Sequence, residues 1–478
     1  MIKEEYCPEN ELTRRGFLSS ITVGGAMAGI YGMRTSNGFS VNEPRKNLKS
    51  IHIKSIDANF EREPLIRPFG FKGGYMSEIW QAAALLESDS GNREIGLCSQ
   101  SVLWSDSTVF ASHTESAGNS FMFVMLEHAL QQAKGMTFQN PVELMENLLN
   151  DTYEYGKKVT RNENLRKTFA LNSLVALDNA AWLLYAKENG FRNFDEMIPE
   201  PYKSALSSHH EKVASIPLMA YTIPVDEIKK AVEEGYFFLK IKIGQPGTQE
   251  EMLEKDKKRL EEIHTAIGNK ETLHTKDGKI PYYFDANGRY ENKETLKKLL
   301  DHADKIGALK QIAIIEEPFP EEYKVDVSDL GIRIASDESA HTEKDAEERI
   351  QMGYKAIAVK AIAKTLSMTL KIIKAAHEKG IPCFCADLTV NPILVDWNKN
   401  VAARLAPFPG LGLGLLESNG HQNYVHWKEM CGYHPCAGSP WTLTKNGVFE
   451  LDNDFYQRSG GIFLPSEHYV KMFEKKSH

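Results

Sequence analysis

Five short apolar runs in the middle of the chain end in residues that could do chemistry. LKIKIG carries Lys240 and Lys242, YYFDANG carries Asp285 and Asn287, IAIIEEP carries Glu316, IRIASDES carries Asp337, and AIAVKAIAK carries Lys360. In an extended strand, alternate side chains share a face. Lys240 and Lys242 therefore point one way while Leu239, Ile241 and Ile243 point the other. By the same rule Asp285 shares a face with Asn287, Glu316 with Ile314, Asp337 with Ala335 and Ser339, and Lys360 with Ala358. Each piece alone has a bland reading: a solvated lysine pair, a helix-capping aspartate, an exposed strand terminus at Glu316-Glu317-Pro318. Together they place three carboxylates between lysines on inward faces, and charges there must be paired or bound to metal. Hard carboxylate oxygens suit an octahedral Mg²⁺, or Mn²⁺, that keeps positions open for a substrate.

These runs need a scaffold that brings strand ends together. Beyond residue 213, short apolar runs (IPLMAYT, FFLKIKIG, PYYFDANG, IAIIEEPFP, IRIASDES, AIAVKAIA, IPCFCADL, GLGLLESNG) alternate with amphipathic helical segments. Those segments include Val225–Glu234, Thr248–Ile267, Asn292–Ile306, Glu343–Met352 and Ser367–Lys379. Eight strands alternating with helices predict a parallel α/β barrel of the TIM type, whose chemistry sits at the C-terminal strand ends. No phosphate-cradling GxGxxG or GxxxxGK[ST] loop follows a strand, which argues against a doubly wound sheet. GLGLG near Leu411 lacks a helix directly after its glycines and reads as the eighth strand. Upstream, Ile51–Ile56 and Glu94–Val102 read as strands, and Glu78–Glu87 as a strand or a short helix. Helical periodicity follows over Ser120–Gln132, Pro141–Tyr155 and Leu165–Glu188. The expected divisions are a leader at 1–45, an α+β unit at 46–190, a barrel at 213–420, and a segment at 421–478 packing back on the first unit.

The 478 residues carry 57 Lys+Arg against 65 Asp+Glu, a net charge of −8 with no basic block, which argues against nucleic acid or an anionic membrane as partner. No apolar run is long enough to span a bilayer. Arg14-Arg15 precede Gly16-Phe17-Leu18 and a mild Gly/Ala-rich stretch from Ile21 to Met33, a layout that resembles the twin-arginine export signal. It implies a periplasmic protein, or a cytoplasmic one if the signal does not function. The six cysteines are too few and too scattered for a stapled domain. Cys431 and Cys436 could bridge after export or stay free, and Cys383 and Cys385 read as strand packing. His209-His210 reads as solvated, and His421 as a surface histidine just beyond the eighth strand.

The ordered set KIK, DAN, EEP, SDES and a sixth-strand lysine resembles the enolase superfamily, specifically its mandelate racemase and muconate lactonizing enzyme group. ALDNAAWLLYAK is similar to the family's helix leading into the barrel, and the likeness covers about residues 50 to 465. It implies a modified barrel, (β/α)7β, with an N-terminal α+β capping domain, and Asp285, Glu316 and Asp337 as metal ligands. Lys242 and Lys360 would be the acid/bases on opposite faces, with Lys240 beside them, and Lys364 is the alternative to Lys360. Asn287, Asp387 and Glu417 are candidate substrate contacts.

A lysine on the sixth strand, instead of a His–Asp pair, favours the muconate lactonizing and dipeptide epimerase branch. The chain departs from that branch twice: Thr365-Leu366 stand where a Gly-Gly is usual, and Glu417-Ser418-Asn419 replace the Asp-x-Asp that holds a dipeptide's ammonium.

The expected chemistry is removal of the proton α to a metal-bound carboxylate, giving an enediolate. A lysine base needs a lowered pKa, and Lys240 and the dication would push it down. Reprotonation from the opposite side gives racemisation or epimerisation. Dehydration of an acid sugar, cycloisomerisation, or carboxylate binding without catalysis are the alternatives. Substrate determinants are expected in the loops around Phe69–Met76 and Ser99–Thr108, and a homo-oligomer is compatible with this reading.

Overall fold

The computed structural model describes residues 48–71 and 74–474. The leader at 1–45 lies outside the described residues. The N-terminal unit is a four-stranded antiparallel sheet of β1 (Ile51–Phe71), β2 (Gly74–Ser88), β3 (Arg93–Gln100) and β4 (Thr137–Phe138), in the order β3-β2-β1-β4. Glu78–Glu87, ambiguous in the sequence, lies inside β2. Both long strands run past the sheet as a ribbon, with an irregularity between Pro64 and Phe69.

Helices Glu115–Ala133, Pro141–Thr160 and Lys167–Asn189 pack on this sheet. The last is buried on nearly every side, so its sequence is apolar all round, as a core helix must be. It packs so closely on β3 that a Cβ on Gly96 would lie 2.1 Å from the Ala176 carbonyl oxygen. Its opposite side meets the barrel, where the Trp182 indole donates to Ser367 Oγ at 3.1 Å.

The barrel strands are β5 (Lys212–Ile216), β6 (Leu218–Met219), β7 (Leu239–Lys242), β8 (Tyr282–Asp285), β9 (Ile312–Glu316), β10 (Ile334–Ser336), β11 (Ala356–Val359), β12 (Cys383–Cys385) and β13 (Gly414–Glu417). Hydrogen bonding runs in parallel from β6 through β7 to β13 and on to β5. Only Pro217 separates β5 from β6. Without an N–H it can only accept, from Lys240 N at 3.0 Å, and at this point one strand divides into halves facing different neighbours. The halves close an eight-membered ring, as the alternation of runs and helices predicted.

Helices follow the strands except after β9, where Glu317–Arg333 crosses to β10 without one. The end of the chain adds the hairpin β14 (Thr444–Lys445) and β15 (Val448–Glu450), antiparallel to β5. Helix Glu467–Glu474 then reaches β1, where Asn59 Nδ2 donates to the Met472 carbonyl at 3.1 Å. No helix among the described residues is long and apolar enough to cross a membrane.

Candidate active site

All nine residues singled out by the sequence meet at one mouth. Lys240, Lys242, Asp285, Asn287, Asp337, Lys360, Asp387 and Glu417 line a single cavity, and Glu316 lies fully buried beside it, bonded to Lys240. The N-terminal unit covers the cavity with Phe69, Met76, Ser101 and Trp104, from the two segments expected to determine the substrate. These are not loops but the adjoining ends of β1 and β2 and the helix Val102–Ser105 with its cap Ser101.

Strand register sets the arrangement. Lys242 pairs with Asp285 and Asp285 with Glu316 across β7, β8 and β9, so the charged residues form one tier at the strand ends. In an eight-membered ring the second and sixth strands face each other. Lys242 on β7 and Lys360 after β11 therefore approach from opposite walls, with the carboxylates of β8, β9 and β10 between them.

The charges are densely paired. Lys240 Nζ lies 2.9 Å from Glu316 Oε1, 3.0 Å from Asp285 Oδ2 and 3.1 Å from Glu417 Oε2. Lys242 Nζ lies 2.6 Å from Asp285 Oδ2 and also donates to Asn287 Oδ1. Lys360 Nζ donates to Asp337 Oδ2 at 2.5 Å and sits 4.5 Å from the centre of the Trp104 ring. Burial alone would raise Asp285 and Asp337, but Lys240 with Lys242, and Lys360 with Lys364, outweigh it and hold both below the ordinary carboxylate range. Glu316 is pushed well above that range by burial, which Lys240 offsets only in part while Asp285 and Asp337 add repulsion.

Burial works to lower Lys240 and Lys360, yet the carboxylates around each prevail and keep both above the usual lysine value.

Four site residues escaped the sequence reading or were misjudged by it. Glu317, read as part of an exposed terminus, is fully buried. Its Oε2 accepts from Asp337 N at 2.7 Å and from Ser339 N and Oγ, which fixes the turn that carries Asp337. Burial, aided by Glu338, raises Glu317 to about 7. Glu338 is buried at the mouth, with Oε1 accepting from Asn287 Nδ2 and Oε2 without a hydrogen-bond partner. Lys364 donates to the carbonyls of Asp337 and Ala340 at 2.6 and 3.0 Å and does not line the cavity. Tyr283, two residues before Asp285 and so on its face of β8, donates its hydroxyl to Glu316 Oε2. Strand alternation was the signal for Tyr283, and the acidic doublets were the signal for Glu317 and Glu338.

Of seven non-glycine residues with positive φ among the described residues, Asn287 and Thr389 line this cavity, Glu317 supports the turn carrying Asp337, and Thr365 directly follows Lys364. Such conformations cost about 1–3 kcal/mol each and persist where surroundings impose them, commonly at functional sites. Thr365, at φ 67°, stands at the first position of the usual Gly-Gly and gains a compensation, since its side chain accepts from Met368 N as a helix cap.

Glu316, Asp337 and Glu338 present buried carboxylate oxygens that all lie within 4.8 Å of one another. With Asp285 in the same tier and an orphaned oxygen on Glu338, this donor set fits a hard divalent cation. Outside this group, Cys431 and Cys436 are buried and not bridged to each other. His209 is solvent-exposed as expected, whereas His210 is half-buried with Nε2 2.9 Å from the Leu405 carbonyl oxygen. His421, expected at the surface, has both ring nitrogens shielded from solvent, and burial lowers it to about 4.

Fold and mouth define an α/β-barrel protein with a capped carboxylate–lysine site. More narrowly, residues 224–411 match the family model described as Enolase C-terminal domain-like. The mandelate racemase/muconate lactonizing protein from Herpetosiphon aurantiacus is similar at a TM-score of 0.57 and 15% identity, over 84% of this chain and 96% of that one. A dipeptide epimerase from Cytophaga hutchinsonii, in complex with Mg and D-Ala-L-Val, gives a TM-score of 0.57 at 16% identity, over 84% and 93%. N-succinyl Arg/Lys racemase from Bacillus cereus gives 0.53 at 18%, over 79% and 88%. No curated protein sequence matches. The resemblance read from the five motifs is borne out, and the chain has the enolase-superfamily fold.

Proposed function

We propose that this protein is a divalent-metal-dependent racemase or epimerase that exchanges the proton α to a carboxylate. The observation that carries the reading is the placement of Lys242 and Lys360 on facing walls of the ring, with the acidic tier between them. Asp285, Glu316 and Asp337 are the proposed ligands, Glu338 lies within reach of the same ion, and Mg²⁺ is the expected metal. When bound, the ion would supply positive charge against the enediolate and take up carboxylates that otherwise hold the lysines protonated.

The chain's own residues do the rest. One lysine, as the neutral amine, accepts the α-proton, and the ammonium of the other donates a proton to the opposite face of the same carbon. Lys240, paired also with Glu417, which is not among the proposed ligands, remains a fixed charge beside the substrate carboxylate. Trp104, Met76 and Phe69 cover the mouth and limit entry of water. Racemases and dipeptide epimerases among the similar structures support the reaction class. Glu417 and Asp387 engage Lys240 and the backbone amides of Asp387, Leu388 and Asn419, which disfavours a free ammonium as the substrate's second recognised group.

Incubating the protein with dipeptides, N-acyl amino acids and acid sugars tests the proposal. Inverted stereochemistry that disappears with a chelator and returns with Mg²⁺ is expected, whereas full activity in chelated buffer sinks the metal. A dehydrated or cyclised product would move the activity to a lyase or cycloisomerase. Export by the twin-arginine route is proposed with it: Arg14→Lys with Arg15→Lys should retain the protein in the cytoplasm, and unchanged fractionation would refute this.

A further inference from the structure

We propose that Tyr283 is the positioning residue for the metal-binding carboxylate of Glu316, an inference that rests on the metal reading above. Tyr283 is fully buried and does not line the cavity, so it lies behind the reacting atoms. Its ring is wedged in place, edge-on to Phe384 at 5.5 Å between centroids and stacked on Phe238 at 5.6 Å. Lys240 Nζ lies 5.3 Å from its centre.

Each carboxylate of the tier has its own orienting donors. Asp285 accepts from Asn287 N at 3.0 Å and from Lys242, and Asp337 accepts from Lys360 and Lys364. Glu316 has Lys240 on Oε1 and Tyr283 on Oε2, one donor per oxygen. The two grips are not equivalent. Lys240 is shared with Asp285 and Glu417 and sits at the cavity, where an arriving ion and substrate compete for its partners. The phenol donates to Glu316 alone and is locked by aromatic packing. It therefore keeps the carboxylate plane fixed when the lysine contacts rearrange, and it leaves the other lone pairs of Oε1 and Oε2 for the ion.

Outer partners that orient a ligand commonly change metal affinity by about 10–100-fold when removed. Tyr283→Phe deletes the hydroxyl and keeps the ring. Tyr290→Phe is the matched control, because Tyr290 also donates a buried hydroxyl to a buried carboxylate, Asp256 Oδ2 at 2.7 Å, outside the acidic tier. Titrating MgCl₂ calorimetrically into the full chain and both variants, with thermal melts alongside, separates orientation from general loosening. Tyr283→Phe should bind Mg²⁺ at least about 10-fold more weakly, while Tyr290→Phe binds as the parent does even if its melting temperature falls. Unchanged affinity in Tyr283→Phe, or equal weakening in both variants, overturns the proposal while the metal reading stands. A parent protein that binds no divalent ion removes the metal reading and this inference together.

Discussion

Lys360 and Lys364 stand one helical turn apart in sequence, and the structure gives them different surroundings. Lys360 ends its strand against Asp337 and the Trp104 ring at the cavity, whereas Lys364 is enclosed by backbone carbonyls. Replacing Lys364 with Ala leaves those carbonyls without their donor, a loss of about 1–3 kcal/mol. A lower melting temperature is therefore expected. Lys360→Ala should instead lower turnover at least ~10²-fold, as expected for a positioned acid or base. Turnover assays beside thermal melts check this, and the reverse pattern would exchange the two roles. Alternation along strands is enough to make Lys242, Asp285, Glu316, Asp337 and Lys360 legible in the amino-acid sequence. It fails at Glu317, because the backbone enters positive φ there and the side chain folds back beneath the next strand end.

At the scale of elements, the helix Lys167–Asn189 links the capping unit to the chemistry. Asp178 on this helix accepts from Ser367 N at 3.1 Å and from Ser367 Oγ, at the start of the helix Leu366–Glu378 that follows Lys364 and Thr365. Burial raises Asp178 to about 7 despite these donors. A carboxyl raised in the folded state stabilises fully below its unfolded value near 4, and that contribution is lost as pH rises through about 7. Stability should therefore fall between about pH 4 and 7, and Asp178→Asn should flatten that fall. Melting curves across the range measure it; an undiminished slope in the variant would assign the pH dependence to other groups. The eight strands and most helices followed from periodicity. The split at Pro217 did not, because IPLMAYT is an unbroken apolar run and only the partners of each half reveal the break. The helix-free crossing after β9 was equally hidden, since strand alternation says nothing about how a connection is covered.

The whole molecule is organised so that no single unit contains the site. The barrel supplies the charged tier, the N-terminal unit supplies Phe69, Met76, Ser101 and Trp104, and the last helix ties β1 back across the assembly. The sequence located both covering segments but read them as loops and not as strand ends and a short helix, and their contacts were hidden because those depend on how two units dock. The central claim is that Lys242 and Lys360 serve opposite faces of one carbon. It is tested most directly by solvent exchange in D₂O with the parent protein, Lys242→Ala and Lys360→Ala, on each stereoisomer of a substrate found by the screen. The parent should incorporate deuterium into both isomers. Each variant should lose turnover while still exchanging only the isomer whose proton faces its remaining lysine, so the two variants select opposite isomers. Exchange of both isomers by either variant, or loss of the same isomer in both, would contradict the two-base account.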